Sequence, residues 1–286
     1  VLDVFQLDKV QLGRCFSVYG IVALLSYLVG GPLADKYPPR KLIAIALWMT
    51  ALGGILFATY PGYEVLRLLY GYWGFTTIFL FWAPMIKATR VWGGETSQGK
   101  AIGFLDGGRG LTGALFGLLG VLVFSMFLKE DVNAADLSER KEAFTYVLYI
   151  ASVIICIIGI LVWLFMKSGI DESKILIEKL SFTDIKKVLK LPSVWLLMII
   201  ILCGYVGYKI TDIISQYANE VMFYNEVKSA KVGTFLQFLR PTTGILVGLV
   251  VDRFKITFWI LLSFLCCVLG GVLFATGIIG PSTTLL

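Results

Sequence analysis

Three basic residues stand deep inside apolar runs of this sequence: Arg109, Lys209 and Arg240. In hydrocarbon, each such charge costs on the order of 2.5 to 3.5 kcal/mol at mid-bilayer, so a cation kept there faces a partner or a water-filled cavity. Arg240 has no acid within a helical turn, and Pro241 after it removes a backbone donor and favours a kink. A salt bridge to another helix would neutralise Arg240, but contact with a solute or a gate is the favoured reading. Gly244 and Gly248, four and eight residues on, let that helix pack closely below the charge. Lys209 lies in Y-V-G-Y-K-I-T-D-I-I-S-Q-Y (Tyr205 to Tyr217), with Asp212 three residues on and therefore on the same helix face. Asp106 and Arg109, in F-L-D-G-G-R-G, repeat that spacing. Such pairs either neutralise themselves or hold charge ready for an anion or a proton. The chain has no histidine, which excludes a Ser/His/Asp triad, a histidine-ligated metal and a histidine proton relay. No cofactor or metal is expected, and an intramembrane enzyme is remote.

The elements that must position these charges are membrane helices. Of the 286 residues 58% are hydrophobic and only 15% charged, and mean hydropathy is +0.84, beyond what a soluble domain of this size tolerates. Apolar runs at about 13–34, 42–60, 65–86, 101–127, 144–166, 193–215, 230–251 and 256–279 make eight candidate spans of an all-α integral membrane bundle. Most basic residues fall in alternate loops: Lys36, Arg40 and Lys41; Lys87, Arg90 and Lys100; the stretch 167–190; and Arg253 with Lys255. The positive-inside rule makes those loops cytoplasmic and accounts for the net charge of +6 without nucleic acid. The five cysteines sit in apolar runs without CxxC spacing and read as packing residues. No charged n-region with a cleavage site precedes the first run, and Val1 is not a start methionine, so neither a signal peptide nor a natural N-terminus is visible.

An internal repeat relates the two ends of the chain. Residues 52–59 read LGGILFAT and residues 269–276 read LGGVLFAT, an offset of 217. At the same offset Gly31 to Tyr37 (GPLADKY) faces Gly248 to Phe254 (GLVVDRF), and Asp8 faces Asn225, each a plausible N-cap before a span. Spans one and two thus correspond to spans seven and eight in the same orientation, a parallel repeat of six helices. The repeat leads us to expect a parent protein of twelve spans, of which these are eight. On this reading residues 1–167 are the N-terminal bundle (helices 2–6 of 12), 168–191 a cytoplasmic linker, and 192–286 the start of the C-terminal bundle (helices 7–9).

The loop G-P-L-A-D-K-Y-P-P-R-K-L (Gly31 to Leu42) resembles the signature loop of the major facilitator superfamily, GxLaDrxGrr, with its degenerate second copy at Gly248 to Phe254. Here Pro38 and Pro39 replace the family's Gly and first Arg. R-L-L-Y-G-Y-W-G (Arg67 to Gly74) resembles the family's fourth-helix motif RxxqGxg, with Tyr70 in place of Gln. The GP-containing fifth-helix motif of drug antiporters is missing from span four, G-R-G-L-T-G-A-L-F-G-L-L-G, whose Gly113 and Gly117 are expected to form a small-xxx-small packing face. Tyr205 to Tyr217 is similar to the seventh helix of the organophosphate:phosphate antiporter branch, where a cation followed by Asp faces the anionic substrate; R-V-W-G-G-E-T-S-Q-G-K from Arg90 is similar to a loop of that branch. The resemblance implies alternating-access transport of a small organic anion (sugar phosphate, sulfonate or carboxylate), with Lys209, Arg240, Tyr205, Tyr208 and Asp212 lining the substrate site. The candidates for coupling or gating are Arg67, Asp106, Arg109, Gly31, Asp35, Lys36, Arg40, Arg90, Gly248, Asp252 and Arg253. The implied partners are the anionic solute, a coupling ion (proton, sodium or phosphate) and the lipid bilayer, for a monomer in the plasma or inner membrane with loop 35–41 and linker 168–191 cytoplasmic. A transporter-like sensor that binds a ligand without net transport is the competing class.

Three further signals read as structural. G-E-T-S-Q-G-K-A (Gly94 to Ala101) falls one residue short of a phosphate-binding loop, and no strand precedes it. S-F-T-D-I-K-K-V-L-K-L-P-S-V-W (Ser181 to Trp195) alternates basic and apolar residues; it could lie on the membrane surface, and an interfacial connector is the favoured reading. The mixed-charge loop from Lys129 to Glu142 suits an external connection.

Overall fold

A computed structural model describes residues 2–127, 137–167 and 182–276, and every regular element among them is helical. In chain order these are α1 (Leu2–Phe5), α2 (Lys9–Lys36), α3 (Pro39–Phe57), α4 (Tyr63–Gly74), a π-helix (Phe75–Trp82), α5 (Ala83–Gly93), α6 (Gln98–Phe127), α7 (Leu137–Phe165), α8 (Phe182–Leu189), α9 (Pro192–Ile210), a 3-10 turn (Thr211–Ile213), α10 (Ile214–Glu220), α11 (Glu226–Val251) and α12 (Ile256–Ala275). Most of the expected linker and of the Lys129–Glu142 loop lie outside the described residues.

Among the described residues six helical runs are long and apolar enough to cross a bilayer: Lys9–Leu28, Pro39–Phe57, Leu137–Phe165, Pro192–Glu220, Lys231–Val251 and Ile256–Ala275. Of the other two expected spans, 101–127 falls on α6, a 30-residue helix. The span at 65–86 falls on the unbroken run α4, π-helix, α5. It differs from expectation because the hydrogen bonding slips from i→i−4 to i→i−5 across Phe75–Trp82.

The chain divides into two compact units, Val1–Trp92 with Leu115–Glu178 and Gly93–Ala114 with Lys179–Leu286. In the first, Asp8 caps α2 as expected: its carboxylate accepts from Gln11 N–H at 2.6 Å while the Gln11 side chain accepts from Asp8 N–H at 3.0 Å. Pro38 and Pro39 have a local use, since proline at the first helical position is pre-set for α3 and lacks a donor that would go unpaired there. Gly71 and Gly74 of the R-L-L-Y-G-Y-W-G stretch bring α4 against α2; a Cβ on Gly74 would lie 2.7 Å from the Tyr19 carbonyl oxygen. α3 packs on α7, where Trp48 Nε1–H donates to the Cys156 carbonyl at 3.3 Å across Gly159. The core here is Cys15, Phe57, Leu66, Leu69 and Tyr70. Tyr19 pairs with Thr77 and Thr50 with Thr76, both at 3.1 Å, whereas the Tyr63 hydroxyl is buried without a hydrogen-bond partner.

In the second unit Asn225 caps α11 by accepting from Lys228 N–H at 2.8 Å, the counterpart of Asp8. A small core of Ala218, Met222, Tyr224 and Val232 closes the α10–α11 end. The first half of α6 lies against α11 through glycine: a Cβ on Gly103 would sit 2.6 Å from the Gly248 Cα, and one on Gly107 would sit 2.9 Å from the Pro241 carbonyl oxygen. Gly113 and Gly117, the expected packing pair, have open space instead. Both registers keep small residues four apart, and α6 uses the earlier one. No residue of α9 or α12 is buried. Of the cysteines only Cys15 is buried; Cys156, Cys203, Cys266 and Cys267 are exposed, which departs from the packing role expected of them.

Candidate functional site

α9 ends at Ile210 and passes through one 3-10 turn into α10. That change of pitch brings Tyr208, Lys209, Thr211 and Asp212 beside the middle of α11. The Asp212 carboxylate meets both cations: Arg240 at 2.7 Å and Lys209 at 3.0 Å. Arg240 also donates to the Thr211 hydroxyl, and its guanidinium lies 4.8 Å from the centre of the Tyr208 ring, a cation–π distance. Lys209 stands 5.8 Å from the Tyr205 ring. The structure therefore joins all five residues expected at a substrate site into one cluster, and it supplies the acid that Arg240 lacks on its own helix. Thr211, which the sequence reading passed over, belongs to the cluster; a hydroxyl within one turn of a paired Lys and Asp was its only signal.

A cleft of about 730 Å³ opens in front of this cluster, lined by Asp106, Arg109, Tyr208, Thr211, Gln237 and Arg240. Gly110, Gly113 and Gly244 line it too, so the open space beside Gly113 is part of the cleft. Arg109 and Asp106 pair at 2.6 Å. A second, smaller cavity of about 290 Å³ lies on the far side of Arg240, lined by Asp212, Ser215, Thr234 and Gln237 among others. Arg240 borders both cavities, and its Nε is buried without a hydrogen-bond partner.

The two signature loops do related work. Asp252 accepts from the backbone N–H groups of Gly99 at 2.7 Å and Lys100 at 2.9 Å, satisfying donors that the start of α6 leaves unpaired and placing negative charge at its positive end. Asp35, its counterpart, lies 3.7 Å from Lys87, whose ammonium also donates to the Ala34 carbonyl at 2.8 Å and the Asp35 carbonyl at 3.3 Å. Lys87 is thus a cation on the carbonyl end of α2. The sequence reading placed it in the basic loop set without giving it a site role.

The remaining candidates are dispersed. Arg67 pairs with Glu64 at 2.8 Å, both side chains well exposed; Lys36 lies 5.4 Å from the Tyr37 ring. Arg40 is half-buried, with its Nε unpartnered. Arg90 and Arg253 are exposed at helix ends. Gly31 has open space around it, and the close approach is made by neighbouring Gly30, where a Cβ would meet the Phe79 carbonyl oxygen at 3.4 Å. Gly248 does pack, against Gly103.

Known proteins are similar to this chain in sequence. The inner membrane protein YqcE of Escherichia coli is 29% identical over 256 residues, covering 87% of this chain and 57% of its own length. The inner membrane protein YihN of the same organism is 24% identical over 210 residues, covering 72% of this chain and 48% of its own. The chain thus spans roughly half the length of these curated relatives. Its apolar helices and these relatives make it a multi-pass protein of the cell membrane. Residues 1–286 match the Major Facilitator Superfamily, and the chain belongs to that family.

Proposed function

We propose that the chain is part of a secondary carrier for a small organic anion, of the sugar phosphate, sulfonate or carboxylate class, working by alternating access rather than by making or breaking bonds. The supporting observation is the charge around the cleft. At and beside the cleft three cations, Arg109, Lys209 and Arg240, pair with two carboxylates, Asp106 and Asp212, leaving one positive charge in surplus. A monoanion neutralises that surplus. Tyr208 and Gln237 line the same cleft as the guanidinium, and the buried, unpartnered Arg240 Nε is a donor still in need of an acceptor. Coupling would be to protons, through Asp106 or Asp212, to sodium, or to exchange with phosphate, and the basic loops face the cytoplasm.

The test is uptake of labelled phosphorylated, sulfonated and carboxylated compounds by the complete protein in liposomes. Uptake of one class, abolished by Arg240→Gln or Lys209→Gln in protein that still folds, is the expected result. Unchanged uptake in both variants would make these charges structural. Retained ligand binding with no uptake under any ion gradient would favour a sensor.

A further inference from the structure

Helix α8 is short, isolated in sequence and unlike the spans. Lys186, Lys187 and Lys190 on it and just beyond it are exposed, and so are Val188, Leu189 and Leu191. Val188 and Leu189 share one side of the helix, turned away from Lys187. One acid, Asp184, stands against the three lysines.

The position of α8 relative to the bilayer is pinned. Only Lys190 and Leu191 separate it from α9, which starts at Pro192 and is apolar enough to span. Those two residues continue as a tight turn, with Lys190 N–H donating to the Lys187 carbonyl at 3.2 Å and Leu191 N–H to the Val188 carbonyl at 3.0 Å. Trp195, one turn into α9, donates from its indole N–H to the Leu189 carbonyl at 2.8 Å. Tryptophan favours the headgroup level of a membrane, so this bond ties the last turn of α8 to the depth at which headgroups begin. α8 cannot be far from the surface.

We infer that α8 is a docking surface for anionic phospholipid headgroups: its apolar side seats between lipid chains, and Lys186, Lys187 and Lys190 bind the phosphates of the leaflet from which α9 enters. The occupant follows from charge and continuity. A basic, amphipathic helix joined to a span by two residues meets a lipid surface before it meets any soluble partner. Each lysine near an anionic leaflet strengthens attachment on the order of fivefold. The inference concerns membrane attachment and stands whether or not the chain carries an anion.

The experiment is amide hydrogen exchange on the complete protein in nanodiscs of phosphatidylcholine alone or with about one third phosphatidylglycerol, a composition that gives a strongly negative surface. Residues 182–191 should exchange several-fold more slowly in the anionic discs, while α9 is equally slow in both. Salt of about 0.5 M should erase the difference by screening. Lys186→Gln, Lys187→Gln and Lys190→Gln together should abolish it, and the three arginine replacements should keep it. Equal protection in both lipids would overturn the inference, because the helix would then be held by protein. A difference that survives the glutamine replacements would overturn it too, placing the lipid contact elsewhere. If the glutamine protein fails to fold, Lys190→Gln alone and the salt titration of the unaltered protein decide the matter.

Discussion

Asp252 and Asp35 occupy equivalent places in the repeat, yet each satisfies the backbone at a different kind of helix end. Asp252 serves the N–H groups at the start of α6, whereas Asp35 holds Lys87 over the carbonyls at the end of α2. Removing the first contact with Asp252→Ala should destabilise the protein by about 1 kcal/mol, the usual cost of losing a side-chain cap. Asp252→Asn, which still accepts a hydrogen bond, should lose less; thermal unfolding of the purified protein measures both, and an unchanged Tm in the alanine variant would show that α6 does not depend on this carboxylate. At the cleft, Arg240 engages Asp212, Thr211 and the Tyr208 ring from one planar group. Arg240→Lys keeps the charge but loses the fork, so apparent affinity for a transported anion should fall roughly tenfold, the worth of one charge-assisted hydrogen bond, with expression unaffected. The Lys209–Asp212 and Asp106–Arg109 pairs were legible in the sequence because a spacing of three puts two side chains on one helix face. The Arg240–Asp212 contact was not, since it joins two helices and nothing local to Arg240 announces the acid.

Glycine spacing in α6 shows how far a pattern can be read at the scale of an element. Gly99, Gly103, Gly107, Gly110, Gly113, Gly117 and Gly120 all lie on one helix, and several small-xxx-small registers are available to it. Which register packs depends on the shape of α11, and Gly248, Gly244 and the Pro241 carbonyl select the earlier one. The consequence separates folding from function. Gly103→Leu drives a side chain into the α11 backbone and should prevent stable insertion, with cost well above the 1 to 3 kcal/mol typical of overpacking. Gly113→Leu meets open space and should fold normally, yet it fills part of the cleft and should suppress uptake. Size-exclusion profiles and uptake of the two variants, side by side, test the assignment; a monodisperse Gly103→Leu protein would contradict it. Helix starts were easier to read. Asp8 and Asn225 cap α2 and α11 as their place before each span implied, because capping is decided within four residues.

For the whole molecule, the duplicated segment and the distribution of lysine and arginine say which loops share a side of the membrane. An accessible cysteine at position 36 or 255 should react with a membrane-impermeant maleimide only in inside-out vesicles, and one at position 61 only in right-side-out ones, in a background lacking the native cysteines. Labelling of 36 and 255 from opposite sides would break the parallel repeat. The membrane class and the helical fold were readable from composition alone, since no soluble packing absorbs so much hydrocarbon. The pairing of elements within each unit was not, because apolar helices in lipid are sorted by small residues and polar contacts, and both are sparse and degenerate in sequence.

The π-helix at Phe75–Trp82 gives the length of a plain apolar stretch a meaning. A single inserted residue absorbed as a wider turn leaves both flanking helices in phase with their neighbours; deleting one residue there would regularise the turn and rotate everything after it by about 100°. Lys87, five residues beyond, would swing off the end of α2 and release both carbonyls and Asp35. A one-residue deletion at Phe79 should therefore detach the signature loop from α5 without changing any side chain in either, and a compensating insertion between Trp82 and Lys87 should restore it. The stretch thus carries information in its length as well as in the packing of Phe75, Phe79 and Leu80 beside Leu42 and Ala46.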